Sequence, residues 1–260
     1  VAFLVSGCSL LPTKQSFLSP GSSCSTSGKE LPLTGQSSKI VTLLPEPVWQ
    51  VTPEVQKEVR RLLISDRNHL EKTLSKMAGY RSIVEEIFVD EGIPTALVSL
   101  AFVESGFNPE ARSPAGAVGM WQFMKPTAMN YGLKISRGED QRKDPILSTI
   151  AAARHLRDLY KTYGDWHLAL AAYNAGTGGV GKAIAKSGHT DFWSIARSGK
   201  LTKQTREFVP KIVAVSLIMD ELKSSDIITL AQNFEWLGEG TDVESIRIAN
   251  WSGDRRPSAG

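Results

Sequence analysis

From residue 53 to residue 222 apolar side chains recur at helical spacing, and no segment alternates apolar and polar residues over the length of a strand. A half-buried strand needs that period-two alternation, so the pattern commits the chain to helices packed on helices. Val55, Val59, Leu62, Leu63, Leu70, Leu74 and Met77 mark a helix or a helix pair, with charged residues at the positions between. A second pattern covers residues 80–91 and stops at Gly92, and a third opens at Pro94, where proline is tolerated in the first turn. Residues 148–163 read as an amphipathic helix closed by Gly164, and residues 166–174 as another closed by Gly176. Residues 203–222 form a last long helix in which Pro210 is expected to cause a break or kink. No internal repeat is visible, and the expected fold is mainly α.

With 260 residues, 41% hydrophobic and 22% charged, the chain can build one good core and is globular in composition. A net charge of +3 is too small to argue for nucleic acid. No apolar stretch reaches the roughly 20 residues of a membrane-spanning helix. The opening VAFLVSGCSL reads as the end of a lipoprotein signal peptide: residues 1–7 are its remnant, and Cys8 is the expected lipidated N-terminus. Alternatively Cys8 pairs with Cys24, or both are plain thiols. Ser9 after that cysteine is the pattern of outer-membrane lipoproteins. Residues 8–45, rich in Ser, Thr, Gly and Pro, read as a flexible tether. Residues 46–225 are the folded body. Residues 226–260 form a short, irregular C-terminal extension of unknown role, in which Ile227, Ile228 and Leu230 could begin a strand.

Within the body, LAFVESGFNP sets one carboxylate, Glu104, at the end of an apolar run. Leu97, Leu100 and Ala101 precede it by seven, four and three residues and share its helix face. Gly106 is a natural C-cap, which places Glu104 in the last turn, at the negative end of the helix dipole. Burial and dipole both disfavour the ionised form and raise the pKa. A carboxyl still protonated near neutral pH is what a general acid requires. The plainer alternative is a Glu marking where a helix meets water.

Downstream, Ser113-Pro114, Gly116 and Gly119 outline tight turns before Met120-Trp121-Gln122. A Trp beside an amide is a common sugar-binding pair, although a core Trp with an exposed Gln explains those two residues equally simply. Tyr173 and Asn174 end a buried-looking helix, followed by Gly176, Gly178, Gly179 and Gly181, a Gly-rich turn without any nucleotide-binding pattern. His69, His155, His167 and His189 show no metal-ligand spacing, so no metal and no cofactor are expected. Ser105 lacks the context of an acyl nucleophile. Asp140, Asp144 and Asp165 sit in polar stretches and read as structural.

Glu104-Ser105, Asn108-Pro109, Ser113, Gly116, Gly119-Met120-Trp121-Gln122 and Ala172-Tyr173-Asn174-Ala175-Gly176, in this order, resemble the lytic transglycosylases with the soluble-lytic-transglycosylase catalytic domain. These are relatives of goose-type lysozyme, and the resemblance is greatest to the membrane-bound D type. It implies a mainly α, lysozyme-like domain that cleaves the MurNAc–GlcNAc β-1,4 bond of peptidoglycan. Glu104 is then the catalytic acid and later the base. By the same resemblance Ser113 and Gln122 hold the N-acetylated sugar, Met120 and Trp121 line the cleft, and Tyr173 and Asn174 shape its wall. A single carboxylate suffices if the N-acetyl oxygen stabilises the oxocarbenium-like centre and the sugar's own C6 hydroxyl attacks, giving a 1,6-anhydro product. Two positions depart from the family: Gln204 and Phe208 stand where relatives carry Glu and a Tyr that orients the acid. The expected partners are peptidoglycan strands and, through Cys8, a membrane. Nucleic acid is not expected, and the chain is expected to be a monomer on the periplasmic face of the outer membrane. The alternatives are a muramidase that uses water, or a catalytically weak peptidoglycan-binding protein.

Overall fold

The computed structural model describes residues 42–224. Cys8, the signal-peptide remnant, most of the expected tether and the strand proposed at Ile227 lie outside the described residues.

Thr52 starts the first helix, α1 (Pro53–Arg60): its hydroxyl accepts from the Val55 N–H at 3.5 Å, and Pro53 fills the first position, where no N–H is needed. A π-helical turn, Arg61–Ser65, leads to α2 (Arg67–Ala78), so the expected helix pair is joined by a bulge rather than a loop. Arg61 braces it by pairing with both Glu58 and Asp66. Helix α3 (Arg81–Asp90) ends as expected, with Gly92 at φ +72° and the Ile93 N–H returning to the Phe88 carbonyl at 2.7 Å.

The helix anticipated from Pro94 is divided. Pro94 precedes a 3-10 turn, Thr95–Val98, which runs into α4 (Ser99–Ser105). A long connection follows, containing α5 (Lys125–Asn130) and a 3-10 turn at Gln141–Lys143. Helix α6 (Pro145–Tyr163) starts three residues before the periodicity does. The Asp144 carboxylate caps it, accepting from the N–H groups of Ile146 and Leu147 at 2.9 and 2.8 Å. Asp165 caps α7 (Trp166–Ala175) in the same way.

One expectation is corrected here, and a second is narrowed. Gly178, Gly179 and Gly181 do not form a turn but lie inside α8 (Thr177–Ser187). Glycine is a poor helix former, not a forbidden one, and the Val180 and Ala183 side chains buried on this segment hold it. After α9 (Phe192–Arg197), helix α10 (Lys203–Ser224) passes through Pro210 without a break. Pro210 cannot bond the Arg206 carbonyl. The loss is offset because α10 packs against α1, α4 and α7 and buries Val209, Ile212, Val213, Ala214 and Ile218 completely.

Residues ahead of α1 already belong to the folded body. The Leu44 N–H bonds the Gly92 carbonyl at 3.0 Å, the Trp166 indole N–H bonds the Pro45 carbonyl at 2.8 Å, and the Trp49 indole N–H bonds Ser216 at 2.9 Å. The end of the expected tether is therefore fastened to the domain. Among the described residues there is no strand, only isolated bridges such as Arg112 to Val118 and Val118 to Phe123, and no helix is long and apolar enough to cross a membrane.

Candidate active site

Helix α4 presents Glu104 at its last turn. Leu100 and Ala101 are fully buried beneath it, and Gly106 closes the helix at φ +59°, a left-handed conformation that suits glycine. Glu104 is itself partly accessible, yet its surroundings displace enough water to raise its pKa from 4.5 to about 8. Desolvation is the cause: no cation and no hydrogen bond from a described residue opposes it.

Glu104 opens on a cavity of about 510 Å³, walled by Val103 of α4, by Asn174 of α7, and by Lys203, Gln204, Glu207, Phe208 and Lys211 of α10. Phe208 and Gln204, the two departures noted in the sequence, thus face the same space as the carboxyl. Phe208 is 7% exposed and has no hydroxyl with which to bond the carboxyl. Glu207, which sequence reading passed over, is the other carboxylate of the cavity. It is half exposed and pairs with Lys203 at 3.8 Å.

Asn174 is oriented by a chain of hydroxyls. The Thr205 hydroxyl donates to Asn174 Oδ1 at 3.0 Å, and Thr202 lies 2.9 Å from Thr205 Oγ1 while accepting the Thr205 N–H at 3.2 Å. With the Thr205 proton committed to Asn174, Thr202 is the donor in the hydroxyl pair. Asn174 Oδ1 is thereby occupied, and its amide N–H groups are left for the cavity. Thr205, the middle member, is 1% exposed, so its bond to Asn174 is made from a buried hydroxyl, while Thr202 at the far end is exposed.

Tyr173 lies close enough to Glu104 to feel its charge, and burial together with that charge holds its phenol well above 10. It is a neutral donor, bonding the Trp121 carbonyl at 2.8 Å. Ser105, next to Glu104, donates to the Met120 carbonyl at 2.7 Å. The backbone of Met120 and Trp121 is therefore clamped from both sides. Their side chains do not line the cleft, which corrects the sequence expectation. Both are 0% exposed, and Trp121 packs on Phe88 and donates its indole N–H to Thr149 at 2.9 Å.

Gln122 stands at φ +49°, unusual for a residue with a Cβ. Its Nε2 donates to the carbonyls of Gly119 at 2.8 Å and Ala111 at 3.4 Å, which leaves Oε1 as a free acceptor. Ser113 does not line the Glu104 cavity; it closes its own turn, its Oγ accepting the Ala117 N–H at 3.0 Å. The loop carrying both residues is pinned by Arg142, a buried side chain bonded to the carbonyls of Gly116 and Phe123 and bidentate to Asp140. That guanidinium holds the Asp140 carboxyl below its usual range. Asp140, Asp144 and Asp165 all serve as caps or anchors, so none is free as a second catalytic carboxylate. No group of His, Cys, Asp and Glu able to hold a metal occurs among the described residues.

Residues 89–196, from the end of α3 to α9, match the transglycosylase SLT domain. The chain is 37% identical over 172 residues to membrane-bound lytic murein transglycosylase D of Escherichia coli K12, a match over 64% of this chain and 37% of the relative. It is 40% identical over 110 residues to peptidoglycan transglycosylase gp16 of phage T7, covering 40% of this chain and 8% of that protein. The chain therefore spans little more than a third of the length of the first of these relatives. The 70 kDa soluble lytic transglycosylase of Escherichia coli shares the fold at a TM-score of 0.52 with 19% identity, over 70% of this chain and 38% of that one. The SLT-domain match contains Glu104, Gln122, Tyr173 and Asn174 but stops before α10, which supplies the far wall of the cavity.

Proposed function

We propose that the chain is a peptidoglycan lytic transglycosylase in which Glu104 acts first as acid and then as base. The supporting observation is the carboxyl itself: one desolvated group with a pKa of about 8, opening on a cavity inside an SLT domain. Protonated at neutral pH, Glu104 gives its proton to the glycosidic oxygen between MurNAc and GlcNAc. The N-acetyl oxygen of MurNAc steadies the positive centre that develops. Glu104, now a carboxylate, takes the proton of the C6 hydroxyl as that oxygen closes on C1, and a 1,6-anhydroMurNAc end forms without water. Asn174 shapes the wall beside the acid with Tyr173 behind it, and Gln122 holds the N-acetylated sugar through its free Oε1, on a loop whose turn Ser113 closes beyond the cavity lining. Lysines 203 and 211 at the mouth suit an anionic polymer. Met120 and Trp121 support these residues from below.

In this reading Cys8 carries lipid, and the monomeric chain works on glycan strands from the periplasmic face of the outer membrane. Membrane-bound relatives favour that placement. Purified sacculi provide the test. Wild type releases muropeptides one water lighter than hydrolysis products, and Glu104→Gln releases them roughly 10²–10⁴-fold more slowly. Reducing ends in place of anhydro ends would make the chain a muramidase. Equal release by both proteins would remove Glu104 from the mechanism.

A further inference from the structure

We infer that His155 is a positioning residue for Glu104 that acts through Tyr173, its ring being the plug that keeps water from reaching the acid from behind; this rests on the reading of Glu104 as the acid. His155 lies on α6 and does not line the Glu104 cavity. Tyr131 of α5 and Tyr173 of α7 both meet its ring at 4.9 Å, tilted by 33° and 34°. Phe123 meets His155 and Tyr173 at 6.1 and 6.3 Å. Tyr131 and His155 are half-buried, whereas the phenol of Tyr173 is buried, so the rings lead from solvent toward Tyr173. Both phenols are anchored elsewhere. Tyr131 donates to Asp158 Oδ2 at 3.2 Å, and Tyr173 donates to the Trp121 carbonyl at 2.8 Å.

The imidazole acts as a ring and not as a proton carrier. Its Nδ1 is buried and has no hydrogen-bond partner, so it belongs to no relay. The titratable groups around it are Tyr131 from α5, Asp158 from its own helix and Tyr173 from α7. Burial pushes the imidazole down to about 4, with Asp158 opposing, so no cation stands behind Tyr173 at neutral pH to favour the Glu104 anion. An orphaned nitrogen costs stability, and a phenyl ring of the same flat shape would avoid that cost. Glu104 is sensitive to this support because desolvation alone raises its pKa to about 8. Whatever displaces water near it therefore sets its protonation. Tyr173 is close enough to feel the Glu104 charge, and His155 backs Tyr173. Without the imidazole, a void beside half-exposed residues would fill with water, and Tyr173 would lose the ring that holds it.

The test follows Glu104 itself. In the full chain with isotope-labelled glutamate, the Glu104 carboxyl is assigned in NMR spectra by its absence from Glu104→Gln, and in wild type it should titrate near pH 8. His155→Ala should lower that midpoint by about one pH unit, since water then solvates the anion, and should cut kcat/KM at pH 7.5 about threefold. His155→Phe refills the stack and should restore both values, with a melting temperature at or above that of wild type. His155→Leu, an apolar plug without a flat ring, should give a midpoint between the two, and it carries the test where the alanine variant does not fold. A purely structural role would lower the melting temperature and leave the titration in place. A midpoint still at about 8 in the alanine variant, or in the leucine variant where alanine does not fold, overturns the inference, as does a phenylalanine variant that titrates like alanine. A midpoint that moves as expected, in a protein whose wild type cleaves no glycan strand, leaves the role of His155 standing and refutes the transglycosylase reading instead.

Discussion

Glu104 keeps its proton because the residues around it exclude water without supplying a cation or a donor to stabilise the anion. Two consequences can be measured. As the acid, it must be protonated, so kcat/KM should be level below pH 8 and fall as pH rises through about 8, toward a tenfold loss per unit. Folded, the group holds its proton to about pH 8; unfolded, it releases it near 4.5. Between those values the native state binds more protons, so this residue's contribution to stability falls as pH rises from 4.5 to 8. Glu104→Gln should therefore stabilise the protein at pH 7 by roughly 1–3 kcal/mol in urea titrations, and the difference should vanish at pH 4. Asn174 depends on Thr205 for its orientation. Thr205→Val should lower kcat roughly fivefold, the value of one buried hydrogen bond, with Thr205→Ser restoring it. Full activity in the valine variant would show that the amide needs no such hold.

At the scale of the element, the loop from Ser113 to Phe123 is a rigid platform rather than a flexible connection. Gly119 sits at φ +89°, and a Cβ there would lie 1.8 Å from the Arg142 carbonyl oxygen, a backbone atom that cannot swing aside. Gly119→Ala should cost roughly 3 kcal/mol or more, read as a lower urea midpoint, because the turn and the Arg142 strap cannot both persist. An unchanged midpoint would refute that account. Helix α10 shows the same dependence on context. Taken alone, Pro210 argues for a break. Packed against three helices, the segment stays helical and delivers Lys203, Gln204, Glu207 and Phe208 to the cavity on successive turns of one face.

Over the whole molecule, the residues ahead of α1 fasten distant parts together. Trp49 links the start of the described chain to Ser216 on α10 and meets the His167 ring edge-on at 5.4 Å. Trp49→Ala should cost roughly 2–4 kcal/mol, measured as a lower melting temperature, since it removes a large half-buried ring and leaves Ser216 unpaired. Because α10 forms the far wall of the cleft, the same variant should also raise KM. A drop in stability with no change in KM would show that this brace serves the fold alone.

The elements that the sequence determined by itself are those whose cause is local. Helical period placed most of the long helices, Gly92, Gly106 and Gly164 ended three of them, and an apolar run before a lone Glu marked the residue at the cavity. What the sequence left open depends on groups far apart along the chain. Arg142 reaches carbonyls 26 and 19 residues away, and Thr205 orients an amide 31 residues away. Neither bond leaves a periodic trace. Trp121 is the sharpest case. A Trp beside a Gln reads equally as a sugar platform or as core, and only packing against Phe88, with Thr149 placed to accept its indole N–H, decided for the core. Local steric and capping preferences are written residue by residue, whereas burial is a property of the assembled helices; that is why the tertiary structure alone settled which side chains face the cavity and which hold it open.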